Sequence, residues 1–202
     1  MKMGATASPW RYDAEACYIL QPERLRPPAI SCYAFMGGGP AITSMNKPME
    51  ISICTPQDYN QILEELPEFW DGRDTRHLHH PFLIHEFGNT AFVIRDGSRV
   101  AAYLFGFVSQ TQPVGYVHTI AVRASARRQH LAQHLFGHFV QFARRHGCKH
   151  VKAITIPSNS GSIAFHKSLG MELLGNPNTD GTPIVPDYAG RDASRVVFWK
   201  SI

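Results

Sequence analysis

The run TIAVRASARRQHLAQHLF, residues 119–136, changes its hydrophobic rhythm partway along. Thr119 to Val122 close an alternating stretch, VGYVHTIAV (114–122), that reads as a β-strand. Leu131, Leu135, Phe136, Phe139, Val140 and Ala143 then recur three and four apart, which predicts an amphipathic helix over 127–148 with Gly147 as its stop. A strand therefore runs through a short turn into a helix. That turn carries Arg123, Arg127 and Arg128 with no acidic neighbour in sequence. A helix start is partially positive and favours Asp or Glu. Three arginines there predict an anion held between them and the free backbone N–H groups. Solvated surface arginines are the alternative.

Upstream, EISICTP (50–56) alternates as a strand and QDYNQILEELPEF (57–69) has the spacing of a short helix. Residues 71–89 are polar, histidine-rich and irregular. TAFVIRDGSRVAAYLFGFVSQ (90–110) places two strands around Asp96-Gly97, a strong hairpin signal. Downstream, HVKAITIPS (150–158) reads as a strand and SGSIAFHKSLGM (160–171) as a helix. A Gly/Pro/Asp-rich loop (175–192) and a last strand, SRVVFWKSI (194–202), follow. Antiparallel strands followed by strand–helix–strand–helix–strand imply an α/β fold on a mixed sheet.

The first 48 residues differ: they hold six of the fourteen prolines and the run Gly37-Gly38-Gly39, without sustained periodicity. A poorly ordered extension over 1–48, ahead of one domain over 49–202, is expected; Met45 and Met49 are alternative starts. The 202-residue chain is 44% hydrophobic and 18% charged, enough to bury a core without metal or disulfides. A net charge of +4 is too mild to argue for nucleic acid. The four cysteines form no CxxC, and neither an apolar leader nor a membrane-length run is present, so a cytoplasmic chain with reduced thiols is expected.

The turn at 127–132 resembles the acyl-CoA pyrophosphate loop of the GNAT superfamily of N-acetyltransferases, [Q/R]-x-x-G-x-[G/A]. Arg127 stands at its first position, Ala132 at its last, and His130 replaces the middle glycine. SNSGSIAFHKSLGM (158–171) resembles the superfamily's N-x-x-[A/S]-I-x-[L/F]-[Y/H]-x-x-x-G-[F/M] helix, matching at Asn159, Ser162, Ile163, Phe165, Gly170 and Met171. The resemblance covers residues 50–202 and implies a GNAT-like fold, a mixed and mostly antiparallel sheet flanked by helices.

It further implies acetyl-CoA as co-substrate; the residues themselves lead to no metal being expected. The backbone amides of Arg128, Gln129, His130, Leu131 and Ala132 would hold the pyrophosphate, with binding retained but weakened by His130. Ile120, Ala121 and Val122 would pair with the pantetheine arm, and a backbone N–H there would stabilise the oxyanion of acyl transfer. Asn159 would contact that arm or serve as a helix N-cap. His166, where many relatives carry Tyr, would protonate the departing thiolate, as in phosphinothricin-type small-molecule acetyltransferases; a histidine bonded to a backbone carbonyl is the alternative. His118 is the candidate base, with Tyr116 on its strand face, or a cross-strand packing residue. Glu86, with His85 and Asp74 beside it, would face the acceptor, as would Tyr188 and Asp187 in the long loop.

The expected reaction is direct transfer of an acetyl group to the primary amine of a small molecule, in a ternary complex. A protein N-terminal or lysine acetyltransferase and a non-catalytic acyl-CoA sensor are the alternatives, and a homodimer is left open. His130, His134 and His138 share one helix face, but no carboxylate or cysteine completes a metal set. Lys149, His150 and Lys152 with Arg144 and Arg145 form a basic stretch without interleaved aromatics, so no nucleic-acid or membrane partner is expected.

Overall fold

The computed structural model describes residues 50–202, so the extension read over 1–48 lies outside the described residues. The chain order is β1 (Ile51–Ile53), α1 (Pro56–Glu64), α2 (Leu66–Trp70), α3 (Phe82–His85), β2 (Ala91–Asp96), β3 (Arg99–Val108), β4 (Val114–Val122), α4 (Leu131–Arg145), β5 (His150–Thr155), α5 (Ser160–Ser168), β6 (Glu172–Leu174), β7 (Asn176–Pro177), β8 (Pro183–Ile184) and β9 (Val196–Ser201). The main sheet runs β1-β2-β3-β4-β5-β9-β6, with β4 and β5 parallel and the other pairs antiparallel. This is the mixed, mostly antiparallel sheet with flanking helices that the sequence implied.

Local chemistry sets the boundaries. Thr55 and Asp58 form a reciprocal capping box at the start of α1, with Pro56 in its first turn. The single helix expected over 57–69 is two helices that meet at Glu65 (φ −107°). Pro67 lacks the N–H that continuing α1 would need. Gly97, at φ +60°, turns β2 into β3 as the Asp96-Gly97 pair predicted. The strand β6, pairing with β9 beyond α5, was not anticipated.

The sheet buries a core on each face. On one lie Ile94, Leu104, Val117, Leu135, Phe136, Phe139 and Phe198, beneath the apolar stripe of α4. On the other lie Ile62, Leu66, Phe69, Leu83, Val93, Tyr103 and Phe105, beneath α1 and α2. Each such fully buried side chain contributes about 1.5–3 kcal/mol of transfer free energy. Among the described residues no helix is long and apolar enough to cross a membrane.

Candidate active site

The site begins with one surplus residue in β4. Phe105 of β3 lies opposite Thr119 and Gly106 opposite Val117, so His118 is the extra residue of a β-bulge. On its other side β4 pairs with β5 only from Val114↔His150 to Val117↔Ala153. Beyond that point β4 continues to Val122 while β5 turns away. The edge of β4 over Ile120, Ala121 and Val122, facing β5, is left without a strand partner among the described residues.

That edge leads into the turn before α4. Arg128 and His130 both have left-handed backbone, φ +64° and +60°. His130 is the N-cap of α4, so it takes the conformation that favours glycine and is not part of the helix itself. The helix consequently starts at Leu131, later than the 127 expected. Its first intrahelical bond is the His134 N–H to the His130 carbonyl, 3.0 Å. The N–H groups of Leu131, Ala132 and Gln133 therefore have no acceptor within the helix.

The arginines do not converge as expected. Arg123 is buried; its Nε donates to the Val100 carbonyl at 3.0 Å, its guanidinium pairs with Glu65, and it lies 4.7 Å from the centre of the Phe69 ring. Arg127 reaches Asp71 at 2.8 Å and the Phe69 carbonyl at 3.2 Å. Carboxylates absent from the local sequence arrive instead from the residues that close α1 and α2. Only Arg128 remains as an exposed cation of the three without an ion-pair partner among the described residues.

His118 donates Nε2–H to the Leu78 carbonyl at 2.9 Å, which leaves Nδ1 as a lone-pair acceptor. Burial holds its pKa below the usual histidine value, and the carbonyl offsets this in part. The Tyr116 ring centre lies 6.4 Å away and stacks on Phe107 at 5.0 Å. Lys152, opposite Tyr116 on β5, holds its ammonium 5.6 Å from the Tyr116 ring and 5.9 Å from the Tyr188 ring. The long loop thus brings Tyr188 beside Tyr116. Lys152 was grouped by sequence with Lys149 and the arginines of α4, and its place in this cluster was missed.

His166 is buried and stacked on Phe198, ring centres 4.2 Å apart. Its Nδ1 bonds the Ser162 carbonyl at 2.8 Å, so its one N–H is spent there. Nε2 is a buried acceptor without a partner among the described residues. Burial also lowers its pKa, with the Ser162 carbonyl acting in the opposite direction. The expected proton donor to a thiolate is thus, in its neutral form, an acceptor at the free nitrogen. Asn159 caps α5 by accepting from the Ser162 N–H at 3.2 Å. Glu86 is exposed at the end of α3, and its carboxylate makes no hydrogen bond or ion pair among the described residues; Asp74 bonds the Arg76 N–H at 3.0 Å.

These features fit an acyl-CoA. An open strand edge suits the paired amides of an extended arm, free N–H groups at a helix start suit a pyrophosphate, and the Nε2 orphan of His166 suits an N–H or S–H donor. Among the described residues no three His, Cys, Asp or Glu side chains cluster as a metal site.

A strand edge opening onto a helix start with free N–H groups suits an extended ligand that carries a phosphate. Residues 57–171 match the family described as Acetyltransferase (GNAT) family, and the chain belongs to that family. It is an N-acetyltransferase that uses acetyl-CoA. No curated protein sequence matches it significantly. Solved structures share the fold at low identity. Ard1 from Thermoplasma volcanium is 16% identical with a TM-score of 0.60, covering 76% of this chain and 97% of that one. The ribosomal-protein-alanine N-acetyltransferase from Brucella melitensis is 18% identical with a TM-score of 0.54, covering 76% and 100%. Aminoglycoside 6'-acetyltransferase type Ii is 15% identical with a TM-score of 0.56, covering 76% and 97%.

Proposed function

We propose that the protein acetylates the primary amine of a small molecule by direct transfer within a ternary complex, with His118 as the base. The observation that carries this reading is the tautomer of His118: Nε2–H donates to the Leu78 carbonyl, so Nδ1 keeps a lone pair on a residue that stands just before the open edge of β4. Acetyl-CoA supplies the activated thioester carbonyl. His118 Nδ1 accepts the proton that the amine sheds as its nitrogen bonds the acetyl carbon; the carbon–sulfur bond breaks and coenzyme A leaves as a thiolate, which takes its proton from solvent. Burial favours the neutral imidazole, the form that can accept.

The arm of the cofactor lies along Ile120, Ala121 and Val122. The amides from Arg128 to Ala132 hold its pyrophosphate, and Asn159, beyond its capping role, borders the arm. His166 Nε2 accepts a hydrogen bond from the bound cofactor, a role the S–H of free coenzyme A also satisfies. It becomes a donor only on protonation. Tyr116 and Tyr188 border the acceptor, with Glu86 at the outer rim. A loop that sets Tyr188 beside Tyr116 narrows the acceptor side, which favours a small molecule over a folded protein.

The test measures thiol release from acetyl-CoA across a panel of small amines and one peptide with a free N-terminus. His118→Ala should lower kcat by about 100-fold or more while leaving the acetyl-CoA Kd, read by calorimetry, within about twofold. Equal turnover in His118→Ala and wild type would refute the assignment. Preference for the peptide would move the acceptor to protein N-termini. Tight acetyl-CoA binding with no turnover on any amine would favour a sensor.

A further inference from the structure

We infer that the amine acetylated by this protein carries a carboxylate, held by Lys152 and Arg195 against the Tyr116 and Tyr188 rings. The inference rests on the acceptor lying on the His118 side of β4, as proposed above.

Alternation along β5 separates Lys152 from its sequence neighbours. Val151 and Ala153 are buried in the core beneath α4, so Lys152 projects from the opposite face. Its half-buried ammonium lies near two tyrosine rings, each attracting a cation through its face. Rings do not neutralise the charge. Arg195, at the start of the chain leading into β9, bridges to Val185 and donates to its neighbour Ser194 at 2.9 Å. Val196 pairs with Thr155 of β5 and is buried in the core beneath α4, so Arg195 projects from the same face as Lys152. Burial above all raises the Tyr116 pKa. The Tyr116 hydroxyl accordingly stays protonated, a neutral donor on the face that holds the Lys152 ammonium.

Among the described residues neither Lys152 nor Arg195 forms an ion pair. The carboxylates that do pair serve Arg95, Arg99, Arg123 and Arg127. Asp187, next to Tyr188, closes its own turn by accepting the Asp192 N–H at 2.7 Å. Among the described residues this face thus presents two cations outside any ion pair and a phenol donor. A polycationic acceptor would be repelled, and an uncharged one would leave the ammonium unmatched. A carboxylate satisfies all three groups. The two cations also disfavour the ammonium form of the bound acceptor, which raises the fraction of neutral, attacking amine.

The experiment uses the full chain with saturating acetyl-CoA and matched acceptors: 4-aminobutyrate against 4-aminobutyramide, phenylalanine against phenylalaninamide, and 1,4-diaminobutane as the cationic comparator. The carboxylates should exceed the amides in kcat/KM by about tenfold or more. Lys152→Met and Arg195→Met should each collapse that ratio. Calorimetry with the N-acetyl products, in the presence of coenzyme A, reads the same preference without catalysis. Carboxylate preference in binding with no turnover would sustain the anion site and sink the His118 reading. Turnover with amides or the diamine equal to the carboxylates, or a ratio unchanged in both variants, would overturn the inference and spare that reading. No preference in either measurement also overturns it.

Discussion

Gly106 and Gly137 should respond in opposite directions to the same added methyl group. A Cβ on Gly106 would lie 2.7 Å from the Tyr116 carbonyl oxygen and 2.8 Å from Phe139 Cε2. The oxygen belongs to the backbone of β4 and Phe139 is fully buried, so neither yields cheaply. Overpacking of this kind costs about 1–3 kcal/mol, and the reduced freedom of the unfolded chain returns about 0.4–1 kcal/mol. Gly106→Ala should therefore lose about 1–2 kcal/mol, a fall in Tm of about 2–8 °C for a domain of this size. Gly137 lies within α4 with nothing inside 4 Å of its would-be Cβ. Gly137→Ala should gain about 1 kcal/mol from helix propensity and raise Tm by about 2–4 °C. Thermal and urea unfolding followed by circular dichroism supply both numbers. Since Tyr116 and the bulged His118 sit on the displaced strand, kcat should fall in Gly106→Ala and hold in Gly137→Ala. A Gly106→Ala protein as stable as wild type would mean that β4 is free to shift, and the account of the bulge as a fixed platform would be wrong.

Two further outcomes follow from burial and backbone geometry. His79 is held at about 4, chiefly by burial, while bonding the Thr75 carbonyl and the Tyr103 hydroxyl. Its folded pKa lies below the ordinary 6.5, so its contribution is complete above pH 6.5 and is lost as the pH falls towards 4. At about 1.4 kcal/mol per pH unit the loss totals about 3 kcal/mol. The stability–pH slope over that window should flatten in His79→Gln, and identical slopes would count against the assignment. At the left-handed N-cap of α4, His130→Gly should tighten acetyl-CoA binding. His130→Val should weaken it and cost about 1–2 kcal/mol of stability; calorimetric affinities equal across all three proteins would remove His130 from the cofactor site.

The parts of the fold written in short-range pattern were legible: the Asp96-Gly97 turn, the stripe of α4 and the strand ahead of it. What escaped the sequence depends on chain segments far apart. The bulge at His118 exists only as a mismatch of count between β3 and β4. Arg123 and Arg127 read as free cations because Glu65 and Asp71, which pair with them, lie more than fifty residues upstream. Lys152 read as part of a basic run because alternation across a sheet is invisible to a tally of neighbouring charges. His166 read as a proton donor, with a carbonyl-bonded histidine as the alternative, and a single carbonyl, that of Ser162, decides which of its nitrogens is free.

The surplus residue in β4 also sets which genetic changes this strand can absorb. Pairing fixes Val117 towards α4 and Tyr116 towards the opposite face. Loss of one codon between Val114 and His118 would oblige the strand either to erase the bulge and close the gap to β5, or to slip and turn Tyr116 into the core. Substitutions along β4 can be graded in effect, but changes of length there should be close to all-or-none. The 175–192 loop, exposed over most of its length, should tolerate insertions at its turn around Asp180-Gly181. A library of single-codon deletions and duplications should accordingly return almost no survivors in β4 and many in that turn.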